Sequence, residues 1–513
     1  MATRLTYTTG ARSPELDRAF ETALAEARER EPEPLAHLVG GRDVAAGEPF
    51  EREDPSRHAH VASRAHEGAG LVADAVETAR VAQRDWRRLG HDERIALLRA
   101  TERLIDERKL ELAAAISLEA GKVRTESIAE VEEAIDLIET YCRQVESAEG
   151  FETPLGQLSP DERNIDVLRP YGVFAVIAPF NFPFALGFGM TAAALLAGNA
   201  VVLKPPEEAP YSGGAVASLL AEAGMPDGVI SLLHGGPETG QALVGSKIDG
   251  VAFTGSAEVG REIGRRLSEG PFPRPVLAEM GGKNAALVGA SADLDAAAEG
   301  IAKAAFGFSG QKCSACSRAI VVDEVHDQLV ERLAAIAGSY CIGDPADPDV
   351  ATGPVVNEQA VERFERSVEA ARRDGTVAAG GSRGDDAGWF VEPTVVSGLP
   401  LGHPLTRDEL FLPFVTVVRV PEFDAALAEA NAVPYGLTAG VFSRDDAELD
   451  RFLDEIEAGV VYVNRRAGAT TGAWPGIQSF CGWKSSGLTG KGGLGPYYVQ
   501  QFAREQSRTI VEQ

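Results

Sequence analysis

The chain has 513 residues, 44% of them hydrophobic and 25% charged, the balance of a soluble globular protein too long for one ordinary core, so two or three domains are expected. Its formal net charge of −28 argues against a nucleic-acid partner, because phosphates would be repelled. Five cysteines at irregular spacing (Cys142, Cys313, Cys316, Cys341, Cys481) make no disulfide framework and suit a reducing, cytoplasmic compartment, and no secretory signal follows Met1.

In chain order, apolar periodicity predicts helices over residues 72–86, 95–116 and 131–145. The acidic residues between Glu126 and Glu139 are expected on exposed helical faces. So large a like charge is read as the mark of a high-salt cytoplasm, where screening acts over a few ångströms. Residues 171–203 carry no charged side chain, which is long enough to span a bilayer. Pro179, Asn181, Pro183 and the Gly198-Asn199 pair interrupt that run, so it reads as buried strand, loop, buried helix, turn and buried strand, with no membrane span. Helices over 213–223 and 238–244 then alternate with strands over 229–233 and 250–253. A second cycle begins near Ala285, with a helix over 294–306 and strands over 415–419 and 460–464. This rhythm predicts an α/β fold of parallel sheets with helices on both faces.

Several junctions carry chemistry. Phe253-Thr254-Gly255-Ser256 follows a strand and opens a helix, where unpaired N–H groups and the macrodipole favour a pyrophosphate. Lys204-Pro205-Pro206-Glu207 leaves a buried strand at the end where doubly wound sheets bind nucleotides, with a Lys and a Glu suited to a ribose diol. Taken alone, each also reads as an ordinary turn. Asn181 is either a structural bridge or a donor aimed at a developing oxyanion. Glu279, before a double glycine, is either a loop-surface carboxylate or a general base over a cleft. Cys313, in Gly310-Gln311-Lys312-Cys313-Ser314-Ala315-Cys316, sits at a helix–strand junction whose free N–H groups favour the thiolate; an inert buried thiol and a redox C-x-x-C remain open. No second C-x-x-C or nearby His completes a metal site, so no metal is expected.

These motifs, with Glu279-Met280-Gly281-Gly282-Lys283, stand in the order and spacing of the NAD(P)-dependent aldehyde dehydrogenase superfamily, which the chain resembles over nearly its whole length. Within it the chain is most similar to the 1-pyrroline-5-carboxylate (glutamate-semialdehyde) dehydrogenases, through Gln311 to Arg318, a long segment before residue 60, and Thr471-Gly472-Ala473 ahead of Gly482-Trp483-Lys484. The resemblance implies the aldehyde dehydrogenase fold, with two doubly wound α/β domains and a small β oligomerisation segment. Residues 1–150 and 171–280 would form the NAD-binding domain, 281–484 the catalytic domain, and 151–170 with 485–513 the bridging segments of a homo-oligomer.

It further implies that Cys313 attacks an aldehyde, that Asn181 and the Cys313 N–H hold the oxyanion, and that Glu279 activates water to hydrolyse a thioester. NAD is the implied cofactor. Ile177, Ala178, Pro179, Lys204, Glu207, Gly255, Ser256 and Gly281 would surround it, with Glu409 and Phe411 at the nicotinamide riboside. The implied substrate is L-glutamate γ-semialdehyde, its carboxylate held by Ser314, Gly472 and Ala473 and its chain flanked by Phe184 and Phe480. Two local departures stand out: Leu412-Pro413 in place of Gly-Pro, and Ser479-Phe480-Cys481-Gly482 in place of Pro-Phe-Gly-Gly. The competing expectations are another aldehyde such as succinate semialdehyde, a CoA-acylating enzyme, and a non-catalytic binding protein on the same fold.

Overall fold

Runs of β-branched and small apolar residues form the inner strands of two seven-stranded sheets in the computed structural model, which describes residues 5–7 and 13–511. The first sheet runs Val276–Met280, Gly250–Gly255, Val173–Ile177, Ala200–Lys204, Ile230–Leu232, His37–Val39, Arg42–Val44 across its width. Its first five strands are parallel and the last two antiparallel. The chain order reverses between Val173–Ile177 and Gly250–Gly255, so a crevice opens beyond their carboxyl ends.

The second sheet runs Thr376–Ala379, Thr394–Ser397, Phe414–Val420, Cys316–Val322, Asn284–Val288, Thr438–Phe442, Val460–Val463, parallel except at its first pair. Only Gly281, Gly282 and Lys283 separate the carboxyl end of one sheet from the amino end of the other. A third, antiparallel sheet joins Ala503–Val511 to Glu162–Pro170 and Glu152–Pro154, with nine paired residues between the first two. Among the described residues no helix is long and apolar enough to cross a membrane.

The uncharged 171–203 stretch is the strand Val173–Ile177, the helix Ala185–Leu196 and the strand Ala200–Lys204, with the strands buried between a hydrophobic cluster on each face of the sheet and the helix inside one of them. The helix expected over 95–116 is two, His91–Glu107 and Lys109–Ala120. Arg108 (φ −108°, ψ 17°) leaves helical geometry between them while its N–H bonds Leu104 and Ile105. The N-terminal segment, for which no elements were predicted, holds a helix Pro14–Glu29 and a hairpin of Pro49–Asp54 with Arg57–His66.

The acidic stretch Glu126–Glu139 is not an exposed face. It lies on the helix Arg124–Ser147, where Glu130, Glu132 and Glu133 are buried. Their burial is tolerated because each has a partner. Glu130 pairs with Lys122 at 2.6 Å, both side chains 0% exposed, and accepts the N–H groups of Phe184 and Ala185 that open the helix Ala185–Leu196. Glu132 pairs with Lys109, Glu126 with Lys312, and Glu133 accepts the Tyr7 hydroxyl at 2.5 Å.

Candidate active site

The nucleophile loop is held in an unusual backbone shape. Phe308, Ser309 and Gly310 take left-handed φ values of 49°, 52° and 68° before Cys313. Such strain persists only where surrounding contacts over-determine it. Here Ser309 donates its N–H to Thr352 and its hydroxyl to Gly353, and the Gln311 side chain accepts the Val356 N–H at 2.8 Å. Beyond the thiol, the Asn284 amide donates to the carbonyls of Cys313 and Ala315, at 2.8 and 2.9 Å.

Cys313 is half-buried at this junction. Burial pushes its thiol up, the Glu279 and Glu409 carboxylates push it further, and the backbone N–H groups of Ser314 and Cys313 pull it back. The expectation that the junction favours the thiolate is therefore not met in the free protein: desolvation and two carboxylates outweigh two amides. Cys316, three residues on, is 1% exposed, with its thiol against the Arg318 carbonyl.

Asn181 is buried, and its Nδ2 donates to the Gln311 carbonyl at 2.9 Å, which ties it to the nucleophile loop. A primary amide carries a second hydrogen for another acceptor. Glu279 ends the first sheet, and burial pushes its carboxyl up to about 7. Its Oε1 accepts the Gly493 N–H at 2.6 Å. Glu409 is likewise pushed up to about 7 by burial and accepts the Gly282 N–H at 2.9 Å. A Cβ on Gly281 would lie 1.9 Å from Glu409, so a larger residue there would force that carboxylate to move. Phe411 stands edge-on to Phe180 at 5.7 Å.

A cavity of about 510 Å³ opens at the chain reversal of the first sheet. Ile177, Ala178, Pro179, Lys204, Glu207, Gly255 and Ser256 all line it. Gly281, Glu409 and Phe411 lie outside that lining, although Phe411 reaches it through Phe180. The shape suits a dinucleotide. A Cβ on Gly255 would meet the Phe253 ring at 2.5 Å, and Ser256 caps the helix Ala257–Ser268, leaving amides for a pyrophosphate. Lys204 and Glu207 place a cation and a carboxylate side by side in the cavity wall, groups that could hold a ribose diol. A larger depression, of about 900 Å³ and lined by Arg87, Arg88, Arg94, Arg169 and Arg508, contains none of these residues.

On the substrate side, the Ser314 carbonyl accepts the Thr470 hydroxyl at 2.7 Å, which brings the 470–473 loop beside the nucleophile. Arg465 donates to the carbonyls of Thr471 and Gly472, fixing that loop's orientation. Phe480 is half-buried and its N–H bonds Gly493, the residue whose own N–H holds Glu279.

A family model, the aldehyde dehydrogenase family, matches residues 43–507. The 1-pyrroline-5-carboxylate dehydrogenase of Geobacillus thermodenitrificans (strain NG80-2) is 37% identical over 483 residues, 93% of this chain and 92% of that protein. The chain belongs to the aldehyde dehydrogenase family. Among solved structures, a Thermus 1-pyrroline-5-carboxylate dehydrogenase with bound NAD superposes with a TM-score of 0.95 at 34% identity, covering 100% of this chain and 99% of that one. Proline utilization A from Bdellovibrio bacteriovorus matches with a TM-score of 0.93 at 35% identity, over 98% of this chain and 53% of that one.

Within this aldehyde dehydrogenase, one expected site residue is displaced. Phe184 is 0% exposed and packs edge-on against Phe188, so its ring has no surface to offer a ligand. The helix it precedes is apolar all round and is swallowed by the core. Phe182 is the partly exposed ring, 5.7 Å from Tyr7, which in turn stands 5.6 Å from Trp474 beside Ala473. Its place flanking Asn181 was the available signal. Gly493 and Asn284 were also missed, because a backbone donor and a loop-bracing amide carry no residue-type signature. The two departures are accommodated: Leu412 is buried in a core, and Cys481 is half-buried against the Gly459 carbonyl.

Proposed function

We propose that this enzyme oxidises L-glutamate γ-semialdehyde, the open form of 1-pyrroline-5-carboxylate, to L-glutamate with NAD, in proline catabolism. The observation that supports the reading is the hydrogen bond from the Thr470 hydroxyl to the Ser314 carbonyl, which ties the loop carrying Gly472 and Ala473 to the residue after a half-buried thiol. A hydroxyl with backbone N–H groups is a carboxylate cradle. Phe182 and Phe480 flank the chain of the substrate. The names of the relatives support the same substrate.

In this reading Cys313 loses its thiol proton to solvent and attacks the aldehyde carbon as the thiolate, giving a thiohemiacetal whose oxyanion is held by the second Asn181 hydrogen and the Cys313 N–H. Bound NAD supplies the hydride acceptor that takes the thiohemiacetal to the thioester. Glu279 leaves the Gly493 N–H, takes a proton from water, and directs the hydroxide at the thioester carbon, releasing glutamate and the thiol. Lys204 and Glu207 hold the adenosine ribose, Gly255, Ser256 and Gly281 admit the diphosphate and nicotinamide end, and Glu409 and Phe411 orient that end.

The first sheet with its helices is proposed as the cofactor domain and the second as the catalytic domain. The three-stranded sheet is proposed to bridge copies in a cytoplasmic homo-oligomer. The excess of acid is proposed as an adaptation to high salt. The test is NADH formation on pyrroline-5-carboxylate and on succinate semialdehyde, with wild type and Cys313→Ser. A higher kcat/KM on pyrroline-5-carboxylate, abolished in the variant, is expected; a clear preference for succinate semialdehyde would sink the assignment.

A further inference from the structure

Beside the Gly236-Pro237 turn that lines the cofactor cavity near Glu207 stands a second carboxylate, outside the lining itself. Glu67 comes from the N-terminal part of the chain, just after the strand Arg57–His66. Its backbone is pinned, with the Glu67 N–H on the Glu48 carbonyl and the Gly68 N–H on the His234 carbonyl. The side chain reaches the first turn of the helix Pro237–Gly245, where Oε1 accepts the Gly236 N–H at 3.0 Å and Oε2 accepts the Thr239 hydroxyl at 2.9 Å.

Two glycines make room for this. A Cβ on Gly235 would lie 2.4 Å from Glu67 Oε2, and one on Gly236 would lie 2.1 Å from Glu207 Oε2. The carboxylates of Glu67 and Glu207 thus flank one glycine turn, and Gly236 and Pro237 of that turn line the cavity.

An open helix start next to a ribose is where a 2′-phosphate would be neutralised, by amide donors and the macrodipole. Here the Gly236 N–H and the Thr239 hydroxyl are already taken by an anion. A phosphate placed beside Glu207 would have to displace Glu67 or sit against two carboxylates.

We propose that Glu67 is a second selector of NAD against NADP, acting with Glu207 by filling the amide-lined turn in which a 2′-phosphate would otherwise sit. The proposal rests on the cofactor reading above and extends it to a residue far away in sequence. A carboxylate that serves only as a helix cap would stabilise the turn without regard to which nucleotide is bound.

The test uses the full-length protein, with 5′-AMP and adenosine 2′,5′-bisphosphate titrated by calorimetry into wild type and Glu67→Gln. Glutamine keeps an acceptor for the Gly236 N–H and removes the charge. The bisphosphate is expected to bind on the order of tenfold more tightly to Glu67→Gln while 5′-AMP changes by less than about twofold, the scale of removing one nearby like charge in a partly solvated site. The NADP-to-NAD ratio of kcat/KM should rise in the same direction. If the glutamine variant does not fold, Glu67→Ala is used, with the same direction expected. A shift shared equally by both nucleotides, or none for the bisphosphate, would overturn the proposal and leave Glu67 a helix cap. Wild-type protein that binds neither nucleotide would overturn the cofactor reading itself, and this proposal with it.

Discussion

Glu279 is the side chain whose protonation should be visible in the kinetics. Burial holds its carboxyl near 7, so a base at this position is ionised only above that pH. Thioester hydrolysis is expected to rise with pH and level off above about 7, with Glu279→Gln losing that limb and accumulating acyl-enzyme after one NADH burst. Stopped-flow NADH bursts across pH would check this; a flat wild-type profile from about pH 6 to about pH 8 would contradict the role. The same carboxylate raises the Cys313 thiol, so Glu279→Gln should speed alkylation of Cys313 by iodoacetamide, most clearly above pH 7 where the wild-type group is charged. Asn181→Ala should lower kcat by about 10²–10³ with a smaller effect on KM, as expected when an oxyanion donor is lost. Steady-state kinetics would read that split directly.

Among the elements, the nucleophile loop and the buried ion pair carry the sharpest expectations. A Cβ on Gly310 would lie 2.0 Å from the Leu412 carbonyl at a φ of 68°, so Gly310→Ala must shift the loop that carries Cys313. Activity should fall well before stability does, as comparison of turnover with the urea midpoint would show. Lys122→Met leaves Glu130 buried with no cation, which should cost about 3–5 kcal/mol in urea unfolding. These elements also show what the sequence could and could not reveal. The inner strands and the helix Ala185–Leu196 were legible because uncharged apolar runs between turn residues have few other folds available. Cys313, Glu279 and Asn181 stood out as motifs near strand ends, and Asn181 bonds the Gln311 carbonyl in the loop that carries Cys313, while their roles belong to the proposal above. The acidic helix was misread because composition does not reveal a distant lysine or tyrosine partner. Phe184 was misplaced because only the packing of the following helix decides which of two nearby phenylalanines turns inward.

At the scale of the whole molecule, charge and edge pairing set the expectations. With a net charge of −28, unfolding midpoint and turnover should hold or rise as salt is taken from low to molar concentration, because screening relieves self-repulsion. A fall in both would count against the high-salt reading. The strand Ala503–Val511 pairs along nine residues with Glu162–Pro170, so if this sheet bridges copies as proposed, deleting residues 503–513 should reduce the mass measured by light scattering. The crossing at Gly281, Gly282 and Lys283 ties these scales together. It puts the proposed base at the end of one sheet and the thiol just before a strand of the other, with three residues of chain between the sheets. Their spacing therefore depends on how the two sheets meet, so a substitution at the seam between the sheets, far from both side chains, is expected to alter hydrolysis.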